Sequence, residues 1–209
     1  MPRYNKTVAL AITGASGIAY ALRLLECLIA ARTRVYLMIS KPGQVVIGME
    51  SALVLPGRTI EIQRFLSTHF NAAPDQLQVL GQDQWTAPVA SGSGAPAAMA
   101  ICPCTTGTLS AVACGASRSL LERAADVMLK ERKKLILVVR ETPLSEIHLQ
   151  NMLNLARMGA IVMPANPGFY HRPERIEQLV DFVVARVLDH MGIEHSLLPR
   201  WGMDTNGEA

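Results

Sequence analysis

Short apolar runs alternate with longer amphipathic stretches along most of the chain. Runs of this kind, apolar at nearly every position and rich in β-branched side chains, predict strands that are buried on both faces. They cover residues 8–12, 34–39, 97–102, 135–139 and 160–163, and a shorter run at 78–80 predicts an edge strand. Apolar residues three and four positions apart predict helices between them. These helices cover residues 18–31, 44–53, 59–70, 119–129, 144–158 and 173–191, and one more ends at residue 115.

The alternation of strands and helices predicts an α/β fold, with a doubly wound parallel sheet flanked by helices. The 209 residues suit a single domain, for which we expect a core at residues 7–192. Residues 193–209 form a tail in which Leu197, Leu198 and Trp201 add apolar side chains. We therefore expect this tail to dock on a neighbouring subunit.

The sequence TGASG at residues 13–17 follows the first predicted strand. A strand that enters such a turn and leaves it as a helix offers backbone N–H groups and the positive helix end, which suit a phosphate. Ser16 adds a hydroxyl, and Gly14 and Gly17 allow close approach of the backbone. The spacing is not that of the three-glycine dinucleotide fingerprint. The turn therefore either binds a phosphate or merely connects two elements.

Small hydroxyl residues also follow two other predicted strands. Ser40 precedes one helix, where it or a neighbour lies near the N-cap, and the TTGT segment at residues 105–108 precedes another. Because the carboxyl ends of parallel strands lie together, these turns favour a nucleotide site at that edge of the sheet. Arg140 and Glu141 leave a further strand there, either as an internal ion pair or as ligand contacts.

Three other features have both a structural and a functional interpretation. Residues 90–95 are a surface connection or a loop that closes over a ligand. The charged run at 130–134 is typical of a solvated helix end, as is Glu50 of a solvated helix face. Arg186 borders the apolar stripe of the last helix, where it forms a surface salt bridge or reaches a pocket rim.

Composition excludes several classes of protein. Half of the residues are hydrophobic and the mean hydropathy is +0.23, which favours several buried faces, including subunit contacts. No apolar run approaches the ~20 residues of a membrane span. The net charge of +3 and the absence of a recognised motif do not favour nucleic acid. The four cysteines lack zinc-site spacing, and without a secretory signal we expect them reduced in a cytoplasmic protein.

Five segments of the chain closely resemble the UbiX flavin prenyltransferases. They are TGASGIAYALRLLE, SKPG, PCTTGTLSAVACGAS, ERKKLILVVRETPLS and MPANPGFYHRP. The resemblance runs from residue 8 to about residue 201 in the correct order, and VVRETPLS and NPGFY are its specific motifs. It implies a Rossmann-like flavoprotein fold, shared with flavin-containing cysteine decarboxylases, and a large homo-oligomer, which we expect to be a dodecamer.

The resemblance also implies a reaction. Such an enzyme joins the dimethylallyl group of dimethylallyl monophosphate to N5 and C6 of reduced FMN without a metal ion. The product, prenylated FMN, is the cofactor of UbiD-type decarboxylases in ubiquinone synthesis and related pathways. Cleavage of the allylic C–O bond builds negative charge on the phosphate, which cationic side chains would stabilise in place of a metal.

Individual residues acquire roles from the resemblance. FMN would be held by Gly14, Ala15, Ser16, Ser40, Thr105, Thr106, Gly107, Thr108 and Arg140. The allylic phosphate would be bound by Gly92, Arg123, Lys130, Glu141, Tyr170 and Arg186, several of them from different subunits. Ser16 and Glu50 would handle the proton at N5, and Trp85 would line the prenyl pocket. Lys130 would act on the leaving phosphate, and Glu141 would hold the released phosphate as a base for the C6 proton.

Two other functions remain open. An FMN-dependent decarboxylase of an aromatic acid or a peptidyl cysteine would leave Lys130, Tyr170 and Arg186 without an obvious task. A non-catalytic flavin carrier would need the glycine and threonine turns but not Glu141. An NAD-linked dehydrogenase is disfavoured because the three-glycine fingerprint is missing.

Overall fold

Six parallel strands form the centre of the computed structural model, which describes residues 4–198. They are β1 (Thr7–Ile12), β2 (Arg34–Ile39), β3 (Leu77–Leu80), β4 (Ala98–Cys104), β5 (Lys134–Val139) and β6 (Ile161–Val162). Their order across the sheet is β3-β2-β1-β4-β5-β6, and every neighbouring pair is parallel. The chain thus moves outward from β1 to β3 and then returns to the other side of β1. This order confirms the predicted doubly wound, Rossmann-like sheet.

Helices cover both faces of the sheet. They are α1 (Ile18–Ala30), α2 (Lys41–Glu50), α3 (Thr59–His69), α4 (Thr106–Ala113), α5 (Leu120–Lys130), α6 (Glu146–Arg157) and α7 (Ile176–Met191). Residues of α1, α2, α3 and α7 pack with Val8, Leu10 and Ile12. Residues of α4, α5 and α6 pack on the opposite face, with Ala9 and Ala11. The two faces alternate along β1 because successive side chains of a strand point in opposite directions.

The fourth strand is longer than the predicted run at 97–102. It continues through the cis peptide bond between Cys102 and Pro103 to Cys104, which pairs with Val139 of β5. The ladder shifts register between Ile101 and Cys104. A proline has no N–H to donate to a neighbouring strand, and a strand can contain a proline at such an irregularity in the ladder.

Hydroxyl caps set where several helices begin. The second helix begins at Lys41 and not at the predicted residue 44, because the Ser40 hydroxyl accepts a hydrogen bond from the Gly43 N–H at 3.0 Å. Pro42 lies in its first turn, where no N–H is needed. Thr105, Ser119 and Ser145 cap α4, α5 and α6 in the same way, so the turns after β2, β4 and β5 and the connection from α4 to α5 all carry a side-chain cap.

Cys102 and Cys104 are buried as small apolar side chains, Cys27 is partly buried, and none of the four cysteines forms a disulfide. Burial raises the pKa of Cys27 to about 11 and that of Cys104 to about 12. Cys102 is fully buried and its pKa is raised for the same reason, whereas Cys114 is exposed. In the chain from residue 4 to residue 198, no helix has both the length and the apolar character of a membrane span.

Only the start of the C-terminal tail belongs to the described chain. Ile193 is buried and Leu197 packs against the core of its own protomer. Trp201, on which the docking prediction chiefly depends, lies outside the described residues.

The close packing of α2 on the end of β1 is testable with two glycines of the same helix. A Cβ at Gly43 would lie 2.7 Å from the backbone oxygen of Ile12, whereas nothing lies within 4 Å of a Cβ at Gly48. We expect Gly43→Ala to lower the free energy of unfolding by about 1–3 kcal/mol because α2 must shift. Gly48→Ala should raise it by about 0.5–1 kcal/mol. Urea denaturation measures both, and equal effects would contradict the packing described here.

Candidate active site

The carboxyl ends of four strands bring the candidate flavin-binding residues to one edge of the sheet. The Ser40 N–H donates to the last carbonyl of β1 at 3.0 Å, and the Arg140 N–H donates to the last carbonyl of β4 at 3.3 Å. The Thr105 N–H donates to Thr13 Oγ1 at 2.9 Å, and residues 14–16 follow Thr13 directly. The segments expected to hold FMN are therefore neighbours, as their positions after the strands predict.

Thr13 connects the turn after β1 to the turn after β4. Its hydroxyl donates to the Pro103 carbonyl at 2.6 Å and accepts from the Thr105 N–H at 2.9 Å. The side chain is buried, with 1% of its surface exposed. A buried hydroxyl without partners would destabilise the fold, so these two bonds fix the spacing between the β1 and β4 turns.

Glu50, at the end of α2, occupies the positive end of α1. Its Oε2 accepts hydrogen bonds from the N–H groups of Gly17 at 2.8 Å and Ile18 at 2.9 Å. The Ser16 hydroxyl bonds the same carboxylate. The expectation that this helix end offers its N–H groups to a phosphate is therefore wrong for Gly17 and Ile18, because a carboxylate of the chain itself takes them.

These contacts also set the charge of Glu50. Partial burial acts to raise its pKa, but the hydrogen bonds from Ser16, Ile18 and Gly17, together with the charge of Arg140, outweigh burial and lower the pKa. Glu50 is therefore a carboxylate at neutral pH, held beside the Ser16 hydroxyl and facing a cation. Glu50 is exposed, as a residue on a solvated helix face would be, but its carboxylate also accepts hydrogen bonds at the start of α1.

Hydroxyl-capped helix starts surround a cavity of about 220 Å³ at the same edge. Ser40, Lys41, Thr108, Ser119 and Glu122 line it. The caps of α2, α4 and α5 lie in or next to this lining, so the positive ends of three helices are close to one another. Such helix ends favour an anionic group, and the opposite formal charges of Lys41 and Glu122 in the lining offset each other.

Arg140 and Glu141 do not form the internal ion pair that was one interpretation of their sequence. Glu141 Oε1 accepts from the Thr142 N–H at 3.1 Å, and Oε2 accepts from the Thr106 hydroxyl at 3.4 Å. No salt bridge joins Arg140 to an acid between residues 4 and 198. Arg140 Nε is buried and has no hydrogen-bond acceptor in that part of the chain. A buried donor of this kind needs an acceptor from elsewhere.

A second group of candidates lies on or beside α5, which leads from the carboxyl edge of the sheet toward the opposite edge. Lys130 ends α5, four residues before β5 begins, and pairs with Glu131. Arg123, two turns earlier on α5, donates to the Ala90 carbonyl at 3.1 Å and pairs with Asp126 at 2.8 Å. Gly92 lies in a short 3-10 turn, Gly92–Gly94, just before β4. Strands of this length separate the two edges by about 20 Å.

The remaining phosphate-binding candidates lie on the other face of the sheet. The Tyr170 ring packs edge-on against Phe182 of α7 at 5.7 Å, and Arg186 lies one turn further along that helix. Arg186 pairs with Asp189 at 2.7 Å. Because α5 and α7 pack on opposite faces, one protomer does not bring Lys130 together with Tyr170 and Arg186. Trp85 is 47% exposed in the segment after β3.

Sequence reasoning did not assign roles to two buried or partly buried groups near these sites. The first is Thr13, whose only signal is a hydroxyl at the end of an apolar strand. The second is the pair His171 and Phe182, whose rings stack at 5.5 Å beside Tyr170. Both imidazole nitrogens of His171 are buried without a partner among residues 4–198. Neither arrangement has a local sequence pattern, because each depends on contacts between distant parts of the chain.

The fold and the polar edge of the sheet define a Rossmann-like nucleotide-binding protein, and the Flavoprotein family matches residues 2–188. A flavin prenyltransferase UbiX from Pseudomonas aeruginosa is 56% identical over 195 residues, which are 93% of each chain. A flavin prenyltransferase UbiX from Halalkalibacterium halodurans is 43% identical over all of both chains. The chain belongs to the UbiX flavin prenyltransferase family of flavoproteins.

Solved structures agree with this assignment. AnUbiX (PadA1), in complex with FMN and dimethylallyl pyrophosphate, superposes with a TM-score of 0.84 at 36% identity. The match covers 99% of this chain and 100% of that one. A dodecameric FMN-dependent UbiX-like decarboxylase from Escherichia coli O157:H7 gives a TM-score of 0.82 at 36% identity, over 93% and 98% of the two chains.

The lowered pKa of Glu50 predicts how stability depends on pH. We expect Glu50→Gln, which keeps the hydrogen-bond acceptor and removes the charge, to lower the free energy of unfolding at pH 7 by about 0.5–1 kcal/mol. The folded-state pKa lies below the ordinary value of 4.5, so this contribution is present above that value and is lost as the pH falls through the folded-state pKa. Denaturation of both proteins from pH 3 to pH 7 measures the difference. A difference that stays constant over this range would contradict the assignment.

Proposed function

We propose that this protein is a flavin prenyltransferase that joins the dimethylallyl group of dimethylallyl monophosphate to N5 and C6 of reduced FMN. The observation that carries the proposal is the polar edge of the sheet, where the turns after β1, β2 and β4 converge with Arg140. The chain has this edge within a fold that matches AnUbiX over almost its whole length. Prenylated FMN would be passed to a UbiD-type decarboxylase.

The residues at this edge fit FMN. Arg140 Nε is a buried donor without an acceptor, and the carbonyl oxygens and ring nitrogens of a flavin are acceptors. Ser40 and the threonines of residues 105–108 lie where helix N-termini meet, and they would hold the phosphate end. Reduced FMN, when bound, supplies the nucleophilic N5 and C6 atoms. The role of the protein is to bind, orient and exclude water.

Two carboxylates of the chain would handle protons in the proposed reaction. Glu50 is ionised and hydrogen-bonded to Ser16, so the pair can receive or return a proton at flavin N5. Glu141 accepts a hydrogen bond from Thr106, which lies in the turn proposed to contact the flavin. It would hold the released phosphate, and that phosphate would act as the base for the C6 proton. Trp85 is exposed and can wall the prenyl group only if another surface covers it.

The phosphate site would be completed by neighbouring protomers. Lys130, Arg123, Tyr170 and Arg186 are expected to share the allylic phosphate, yet α5 and α7 carry them on opposite faces of one sheet. Assembly is favoured by exposed apolar side chains, which include Val45, Met49, Val54, Ile147, Leu149, Leu153 and Phe169. We propose a homododecamer of single-domain, cytoplasmic subunits.

The test of the function is the mass of the flavin. Purified protein is incubated anaerobically with FMN, a reductant and dimethylallyl monophosphate, and a parallel sample receives the pyrophosphate. We expect a gain of one dimethylallyl group with the monophosphate. Unchanged flavin together with loss of CO₂ from an added aromatic acid would favour the decarboxylase function. The similar structure from E. coli O157:H7 is described as a decarboxylase. Bound but unchanged flavin, with no product in any sample, would favour a carrier.

The division of roles predicts how two variants behave. We expect Lys130→Ala and Glu141→Ala to lower kcat/KM by about tenfold or more, because each removes a group that acts on the phosphate. FMN affinity should change by less than about twofold, since neither residue is expected to hold the flavin. Steady-state kinetics and FMN titration measure the two effects. The control Arg64→Ala removes an exposed cation on α3 and should change neither; joint loss of FMN and activity would contradict the assignment.

A further inference from the structure

The glycine turn at residues 92–94 is fastened at both of its ends, to α5 on one side and to the connection between α5 and β5 on the other. Arg123 Nε donates to the Ala90 carbonyl at 3.1 Å, before the turn. Lys133 Nζ donates to the Ala95 carbonyl at 2.6 Å, after the turn. The turn therefore cannot move away from the end of α5 unless both bonds break. Its position relative to Lys130 and Glu131 is set by the protomer itself.

The Glu131 carboxylate lies between the turn and Lys130. A Cβ added to Gly92 would overlap the Glu131 carboxylate, with Oε1 as the nearest atom. The same oxygen is the acceptor for Lys130 Nζ. One carboxylate oxygen thus adjoins both Gly92 and Lys130, two of the residues to which the family resemblance assigns the allylic phosphate. The other cations differ, because Arg123 and Arg186 pair with acids one turn further along their own helices.

Glu131 is charged where it lies. The hydrogen bond from Lys130, together with the charges of Lys130 and Lys133, lowers its pKa against a small opposing effect of desolvation. An ionised carboxylate and a phosphate monoester offer an ammonium group the same kind of acceptor oxygen. Two such anions side by side repel each other. A phosphate that approaches Lys130 and Gly92 therefore competes with a resident anion.

We propose that the Glu131 carboxylate holds the place of the allylic phosphate beside Lys130 and Gly92 in the ligand-free protein, and that it is displaced when the phosphate binds. The inference rests on the proposed function, since it takes the ligand to be that phosphate. The exchange keeps Lys130 paired with an anion before and after binding, so its long side chain is held near its working position. The affinity for phosphate is lower as a result, because the phosphate must displace the Glu131 carboxylate.

Binding measurements with FMN-loaded protein test the exchange. Calorimetry with inorganic phosphate and with dimethylallyl monophosphate compares wild type with Glu131→Gln. We expect the variant to bind both ligands about two- to fivefold more tightly, the range for one exposed charge pair. The matched control is Glu61→Gln, which removes an exposed charge on α3 and should leave both affinities unchanged. Unchanged or weaker binding by Glu131→Gln would overturn the proposal.

A second variant separates a direct exchange from a general effect of charge. In a Lys130→Met background, the gain from Glu131→Gln should disappear, because the two anions then have no shared cation. A gain that persists would overturn the proposal. These outcomes differ from failure of the proposed function. If wild-type protein leaves the flavin mass unchanged while Glu131→Gln still tightens inorganic phosphate binding, the exchange stands and the prenyl transfer does not.

Discussion

The hydrogen bonds of the Thr13 hydroxyl hold the candidate site together. The chain reverses direction across the sheet between β1 and β4, so the turns that follow these strands diverge and leave a crevice. Thr13 spans that crevice at its base, with one bond to the Pro103 carbonyl and one to the Thr105 N–H. The distance between the turns is thereby fixed in the absence of a ligand. This distance sets the positions of Ser16 and of the cap of α4, which are among the groups expected to contact a flavin.

Charges in the candidate site are balanced within each protomer. Glu50 lies on the positive end of α1, and Arg123, Lys130 and Arg186 each pair with an acid close to them in sequence. The net charge of +3 therefore says little about the ligand, because the basic groups are distributed and locally compensated. Arg140 is the exception among the candidates, since its buried Nε lacks an acceptor in the described chain. At the polar edge of the sheet, Arg140 therefore needs a hydrogen-bond acceptor from a ligand or another chain.

Local patterns predicted the sheet, the helices and a cap at or near Ser40, because burial on both faces and a hydroxyl at a helix start can be recognised from neighbouring residues. Contacts between distant residues were not predictable in the same way. Glu50 reaches Gly17 from 33 positions away and Thr105 reaches Thr13 from 92, and neither distance follows from a periodicity. The glycine turn was interpreted as a connection or a lid. Its attachment to α5 through Arg123, and to the connection after α5 through Lys133, became visible only in three dimensions.

The proposed phosphate site is divided between two faces of one sheet, which would link the activity of the protein to its assembly. Helix α6 buries only Leu155 fully, although Ile147, Leu149 and Leu153 are also apolar. Covering such side chains stabilises an assembly by about 25 cal/mol for each Å² of apolar surface removed from water. On the proposed assembly, the same association brings cations of adjoining protomers to one phosphate. Folding of the protomer and completion of its site would then be separate events. An isolated protomer would keep the polar edge of the sheet proposed to bind FMN, but it would lack the cations needed to ionise the allylic ester.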